Sequence, residues 1–188
     1  MSAGLKQNGG FCIMQYTSGD YSRHYITEAL FRLMEDNPFN EITISDVAKK
    51  AGVGRATFYR YFNSKEDVLK FFFDRAQSEF SSEQIYRPRC KEDYLDVIKR
   101  VLIYIKKYKQ RLQLLAKAHL EYIYLDYVDR ALSDLFKNEI DDDNRYKAAG
   151  YAGAISNITL HWIKSDCKDD EETVLQAFSC IALGGFGD

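Results

Sequence analysis

The chain has 188 residues, of which 46% are hydrophobic and 29% charged, with a formal net charge of -2. That length can bury a sizeable core as one large or two small domains, and the near-neutral total means that any cationic surface has to be local. Only Pro38 and Pro88 interrupt the chain, and no strand-like alternation bounded by turn signals occurs at useful length, so an all-α fold is expected. Cys12, Cys90, Cys167 and Cys180 are far apart, and His24, His119 and His161 form no close pair, so neither a metal site nor a cofactor is expected.

Residues 1–21 read as a flexible arm, with Gly4, Gly9, Gly10 and Gly19 and an apolar run, Phe11 to Met14, too short for a signal peptide or a membrane span. A cytoplasmic protein with no membrane partner is the expectation. The first helix is predicted from about Ser22 to Asp36, with Tyr25, Ile26, Ala29, Leu30, Leu33 and Met34 facing a core. Asn37-Pro38 ends it, because the residue before proline avoids the α region.

The stretch from Thr43 to Lys65 carries two short helical patterns with a glycine-marked turn between them. Thr43 stands before the apolar positions Ile44, Val47 and Ala48, with Asp46 three residues on, which predicts a capped helix over 44–50. Gly52 supplies the positive φ that a sharp stop requires. The pattern resumes at Arg55, with Phe58 and Phe62 at i and i+4 on a buried stripe and Arg55, Ala56, Tyr59 and Arg60 facing outward. From Val47 to Lys65 there are five basic residues, Lys49, Lys50, Arg55, Arg60 and Lys65, and no acid. Cationic and hydroxyl-bearing side chains on such a helix suit contact with nucleic-acid phosphates. A solvated helix face is the plainer reading of any one basic pair, but it leaves the caps, the turn glycine and the two tyrosines unexplained.

From Tyr25 to Phe73 the sequence resembles the amino-terminal domain of the TetR family of bacterial transcriptional regulators. The family pattern I-T-I-x-D-[IV]-A-x-x-A-G-V-S-x-G-T-F-Y-x-[HY]-F-x-x-K-x-x-L is matched nearly position by position by Ile42 to Leu69. Gly54 stands where the family usually has Ser, which removes a side-chain cap worth a few tenths of a kcal/mol, and Ala56 stands where it usually has Gly. The resemblance implies a helix-turn-helix head over 22–80 that binds a double-stranded DNA operator. Arg55, Ala56 and Thr57 would lead the reading helix, with Thr43, Lys49, Tyr59, Arg60, Tyr61 and Lys65 as further contacts and Arg23 and His24 as minor candidates.

Ser64 caps the next helix, predicted to about Ser81, whose Val68, Leu69, Phe71, Phe72, Phe73, Ala76 and Phe80 spread apolar surface over more than one face. Polar residues from Ser81 to Arg89 mark a boundary, and 81–188 is expected to be a helical effector-binding and dimerisation domain. Its helical patterns run through Leu95, Ile98, Leu102 and Ile105, then Leu112 and Leu115, then Leu120, Ile123, Tyr127, Ala131 and Leu135. Nine of the 14 tyrosines lie from Tyr86 onward. Tyr104, Tyr108, Tyr124, Tyr127 and His119 fall on the two helices that, by the resemblance, wall an effector pocket, although aromatics at helical spacing also make plain core. Ala148, Gly150, Ala152, Gly153 and Ala154 permit close helix approach. With Ile155, Trp162, Val174, Phe178 and Ile181 they predict a homodimer four-helix interface, the alternative being an intramolecular core. The segment from Tyr151 to Phe178 also resembles the carboxy-terminal domain of one TetR sub-class.

The resulting expectation is a dimeric repressor released from a palindromic operator by a small hydrophobic or aromatic effector. An activator or co-activator of the same family, and a DNA-binding protein with no effector, are the alternatives. An enzyme is not expected, since the sequence has no phosphate-binding glycine loop, nucleophile elbow or metal-ligand cluster.

Overall fold

The computed structural model describes residues 18–82, 91–136 and 145–182. Among them are eight α-helices and no strand: α1 (Ser18–Asp36), α2 (Ile44–Lys50), α3 (Arg55–Tyr61), α4 (Lys65–Ser82), α5 (Lys91–Lys117), α6 (Glu121–Phe136), α7 (Arg145–Lys164) and α8 (Glu171–Ala182). The all-helical expectation holds. No helix among the described residues is long and apolar enough to cross a membrane.

The first helix begins at Ser18 rather than near Ser22, so the end of the predicted arm is helical, while 1–17 lie outside the described residues. Gly19 does not interrupt it, and Asp20 in the first turn suits the positive end of the helix dipole. Ile26, Ala29, Leu30 and Met34 are buried as expected. Tyr25 is instead 55% exposed and Phe31, not anticipated, is 3% exposed. Phe31 is covered because α1 has a second partner surface: the Phe72 ring of α4 meets it edge-on at 5.0 Å and the Arg111 guanidinium of α5 lies 5.0 Å away.

Helices α1 to α3 close over a core in which Ile26, Leu30, Val47 and Phe58 are fully buried. Helix α4 faces both halves of the molecule, as its dispersed apolar pattern predicts. Phe71 meets Phe62 of the head at 5.5 Å, while Phe73 stacks on Tyr127 of α6 at 5.0 Å. The predicted boundary around Pro88 and the acidic run Asp141 to Asp143 lie outside the described residues.

Beyond it, the patterns at Leu95–Ile105 and Leu112–Leu115 belong to one 27-residue helix, α5. It ends without glycine: His119 takes φ 57°, and the Leu120 N–H closes back on the Leu115 carbonyl at 2.9 Å. Helix α5 packs on α7 and α8, and α6 lies between α4 and α7. Lys106–Glu171 (2.6 Å) and Lys109–Asp166 (2.7 Å) fasten α5 to α8 and to the turn before it, and Lys164–Glu121 (2.7 Å) joins α7 to α6.

The residues expected at a dimer interface are packed within the protomer. Ala152, Ile155, Trp162, Val174 and Phe178 are all covered within one protomer, none more than 7% exposed, and Trp162 also donates its indole N–H to the Asp169 carbonyl at 3.0 Å. A side chain already enclosed by its own chain has no surface to offer a partner. The side chain of Ile181 lies outside the described residues. The outward faces of α7 and α8 carry Tyr146, Gly150, Asn157, Thr173 and Ala177 instead.

Trp162→Ala is therefore expected to destabilise the protomer by about 3–5 kcal/mol. Urea unfolding should give the same loss at every protein concentration, whereas a loss confined to low concentration would return Trp162 to an interface.

Candidate nucleic-acid interface

The DNA-reading candidates are held by a sequence of local hydrogen bonds. Thr43 is the N-cap of α2, and its capping box is complete. Its hydroxyl accepts from the Asp46 N–H at 3.1 Å, and the Asp46 carboxylate accepts from the Thr43 N–H at 2.9 Å and from its hydroxyl at 2.5 Å. These bonds from the Thr43 side chain and backbone hold the Asp46 carboxyl below its ordinary pKa.

The helix stops where Gly52 takes φ 70°, and the Val53 N–H reaches back to the Ala48 carbonyl at 3.0 Å. Any side chain at this φ would strain the backbone. Gly54 then caps α3 with extended backbone and no side-chain bond, while its carbonyl accepts from the N–H groups of Thr57 and Phe58 at 2.9 and 3.1 Å. Phe58 is 0% and Phe62 4% exposed, so the orientation of α3 is fixed by these two rings. At its far end the Ser64 hydroxyl accepts from the Asp67 N–H at 3.1 Å and Asp67 accepts from the Asn63 N–H, which starts α4.

This geometry leaves Arg55, Ala56, Tyr59 and Arg60 exposed along α3, with Thr57 half-buried, and Lys49 and Lys50 exposed at the end of α2. Tyr61 is half-buried, and the Arg23 guanidinium of α1 lies 5.4 Å from its ring and 5.6 Å from that of Phe71. Thr43 is exposed, but its hydroxyl proton is committed to Asp46.

Lys65 departs from the expectation. Its ammonium is turned inward, donating to the carbonyls of Phe39 (2.5 Å) and Ile42 (2.6 Å) and lying 4.3 Å from the Phe39 ring. Those carbonyls belong to the α1–α2 connection, which has no helical partner to offer them. Burial lowers the lysine's pKa. Lys65 thus straps α4 to that connection, and its expected phosphate contact stays a proposal.

The expected pocket residues are brought together only in part. Tyr108 donates its hydroxyl to Glu79 at 2.5 Å and meets Phe72 edge-on at 5.2 Å. The Tyr124 hydroxyl lies 2.7 Å from that of Thr159, Tyr127 stacks on Phe73, and burial pushes the Tyr127 phenol up to about 12. These rings fill the seam between α4, α5 and α6. Tyr104 stands at its edge, 6.3 Å from Tyr108, and His119 is exposed at the α5–α6 turn, away from the seam. A cleft of about 380 Å³ opens in the head, lined by His24, Tyr25, Glu28, Ala29, Arg32, Lys50 and Ala51.

Comparison with known proteins gives two family matches. Residues 26–70 match the model of bacterial regulatory proteins, tetR family, and 92–184 match a transcriptional regulator C-terminal region. The HTH-type transcriptional regulator EthR of Mycobacterium tuberculosis is 44% identical over 62 residues, 33% of this chain and 29% of that protein. The dhaKLM operon transcriptional activator DhaS of Lactococcus lactis is 33% identical over 58 residues, 31% of each chain. The chain thus matches less than a third of the length of these two relatives. The crystal structure of Lin0861 from Listeria innocua superposes with a TM-score of 0.70 at 25% identity, covering 86% of this chain and 89% of that one.

Lys65→Ala is expected to lower the melting temperature of the head through loss of a charge-assisted pair of bonds worth about 2 kcal/mol. Circular dichroism melting in the absence of DNA is the measurement. An unchanged melt combined with weaker binding to all DNA would reinstate the phosphate contact.

Proposed function

The chain belongs to the TetR family of bacterial regulatory proteins, and from that membership we propose that it is a DNA-binding transcriptional regulator, a homodimer that represses from a palindromic operator until a small aromatic or amphipathic effector releases it. The observation that carries this reading is the exposed, acid-free face of α3, which follows directly on the Gly52 turn. A face of that kind can enter the major groove while cations beside it meet the backbone.

In the dimer, two α3 helices enter successive major grooves about one helical turn apart. Arg55, at the start of α3, makes the bidentate contact to guanine, with Ala56 and Thr57 beside it. Lys49, Tyr59, Arg60 and Tyr61 contact phosphates, and Thr43 offers its hydroxyl oxygen only as an acceptor because its proton is engaged. Dimerisation uses the outward faces of α7 and α8. A methyl group added to Gly150 or Gly153 would meet nothing within 4 Å beyond its chain neighbours and the backbone of its own helix. Each helical glycine costs about 1 kcal/mol relative to alanine, so the gain from having no side chain there comes from a surface outside the protomer.

The effector enters the seam of Tyr108, Tyr124 and Tyr127, where tyrosines combine apolar rings with polar tips. It must part α4 from α5 and α6 to do so, and a tenfold loosening of the operator needs about 1.4 kcal/mol of preference for the parted state. The protein acts by binding, not by turnover. An activator is the second reading, favoured by the activator DhaS among the relatives. Reporter output with and without the protein separates the two signs.

Selection of bound duplexes from a random pool should return a palindrome, and the absence of any enriched site would refute the proposal. Arg55→Ala should then lose discrimination at one position of each half-site, at a cost of about 1–3 kcal/mol. Gly150→Arg should leave the helical content of the protomer unchanged and shift sedimentation from dimer to monomer.

A further inference from the structure

We infer that Arg111, outside the DNA-binding head, is a positioning residue for DNA recognition: it fixes the angle between the head and α5, and so the separation of the two reading helices in the dimer. The inference rests on the proposed dimeric regulator and adds a residue that neither the head motif nor the pocket reading contains.

Arg111 is half-buried on α5, and its Nη2 donates to Glu28 Oε1 of α1 at 2.7 Å. The same guanidinium lies 5.0 Å from the Phe31 ring of α1 and 5.3 Å from the Phe72 ring of α4. One planar group thus engages two helices of the head through a charged hydrogen bond and two neighbouring rings. The two side chains are 29% and 27% exposed, so water and salt screen this pair less than the half-exposed Arg130–Asp74 contact at 3.4 Å.

One helical turn before Arg111, Lys107 and Tyr108 both bond to Glu79, towards the other end of α4. Arg111 and this second group form a stripe along α5 that pins the head at two separated places. Elsewhere the seam holds ring contacts such as Phe73 with Tyr124 and Tyr127, together with the more exposed Arg130–Asp74 pair. Apolar contacts of that kind are non-directional and tolerate sliding, whereas the charged hydrogen bond from Arg111 Nη2 to Glu28 Oε1 specifies a direction. Without it the head stays attached but its angle is set less sharply.

The experiment uses the full chain and duplexes carrying the half-sites that the wild type selects, with their separation changed by single base pairs. The wild type should prefer one separation. Arg111→Ala should bind that separation about tenfold more weakly, within the usual range of coupling between sites, and bind the altered separations with little further loss. Its affinity for a duplex with a single half-site should equal that of the wild type, and Arg111→Lys should restore only part of the preference. Glu28→Gln removes the charge while leaving α5 untouched and should flatten the profile in the same way, which keeps the test open if Arg111→Ala does not fold. Retention of the wild-type spacing preference by folded Arg111→Ala and Glu28→Gln would overturn the inference. So would an equal loss on every duplex including the single half-site, since that is the signature of a merely structural role. Failure of the wild type to select any DNA would instead sink the regulator reading itself.

Discussion

The head depends on one backbone conformation. Gly52 at φ 70° lets the Val53 N–H turn back onto α2, and the chain enters α3 at a new angle from there. Only then do Phe58 and Phe62 fall on the side facing α1 and α4, with Arg55, Tyr59 and Arg60 on the opposite side. A residue with a Cβ at position 52 would resist the turn, and the burial of the two rings and the exposure of the cations would fail together. Gly54 adds nothing comparable: its backbone is ordinary extended chain, and α3 relies on carbonyl acceptance alone at its start.

What the sequence revealed follows the distance between partners. The capping box of Thr43 and Asp46, the stop at Gly52 and the Phe58/Phe62 stripe are decided within four residues, where spacing alone determines which groups meet. The inward turn of the Lys65 ammonium is not legible locally, because its acceptors, at Phe39 and Ile42, precede it by 26 and 23 positions, and nothing in a local pattern distinguishes an inward-turned ammonium from an outward one. Phe31 escaped notice for the same reason, since its cover comes from α4 and α5. The residues expected at a dimer interface meet a different limit. Apolar periodicity in α7 and α8 correctly marked Ile155, Trp162 and Phe178 for burial, but periodicity carries no information on whether the covering surface belongs to the same chain.

The aromatic seam sets the energetic terms on which any effector acts. Phe72 and Phe73 are neighbours on α4 and engage different partners, Phe72 with Phe31 and Tyr108 and Phe73 with Tyr124 and Tyr127. A ligand inserted among these rings replaces contacts that already exist, so only the difference between its own burial and theirs is available to move α4. Tyr124 constrains the ligand further. Its hydroxyl is satisfied by Thr159, and a ligand that separates the two must offer a hydrogen-bonding group of its own or leave a buried polar atom unpaired.

Helix α5 is the element that relates these parts. Lys106, Lys109 and Gln113 lie at helical spacing on one side of it and bond to Glu171 and Asp166, at and just before α8. Lys107, Tyr108 and Arg111 lie on an adjacent stripe and bond to Glu79 and Glu28 in the head. If the partner protomer binds the outer faces of α7 and α8, these polar fastenings of α5 stand between that interface and α1. A displacement of α5 then alters the separation of the two α3 helices without any change inside the head. On the proposed reading, the acid-free face of α3 would select the bases, and charged side chains elsewhere in the chain would set the distance between its two copies.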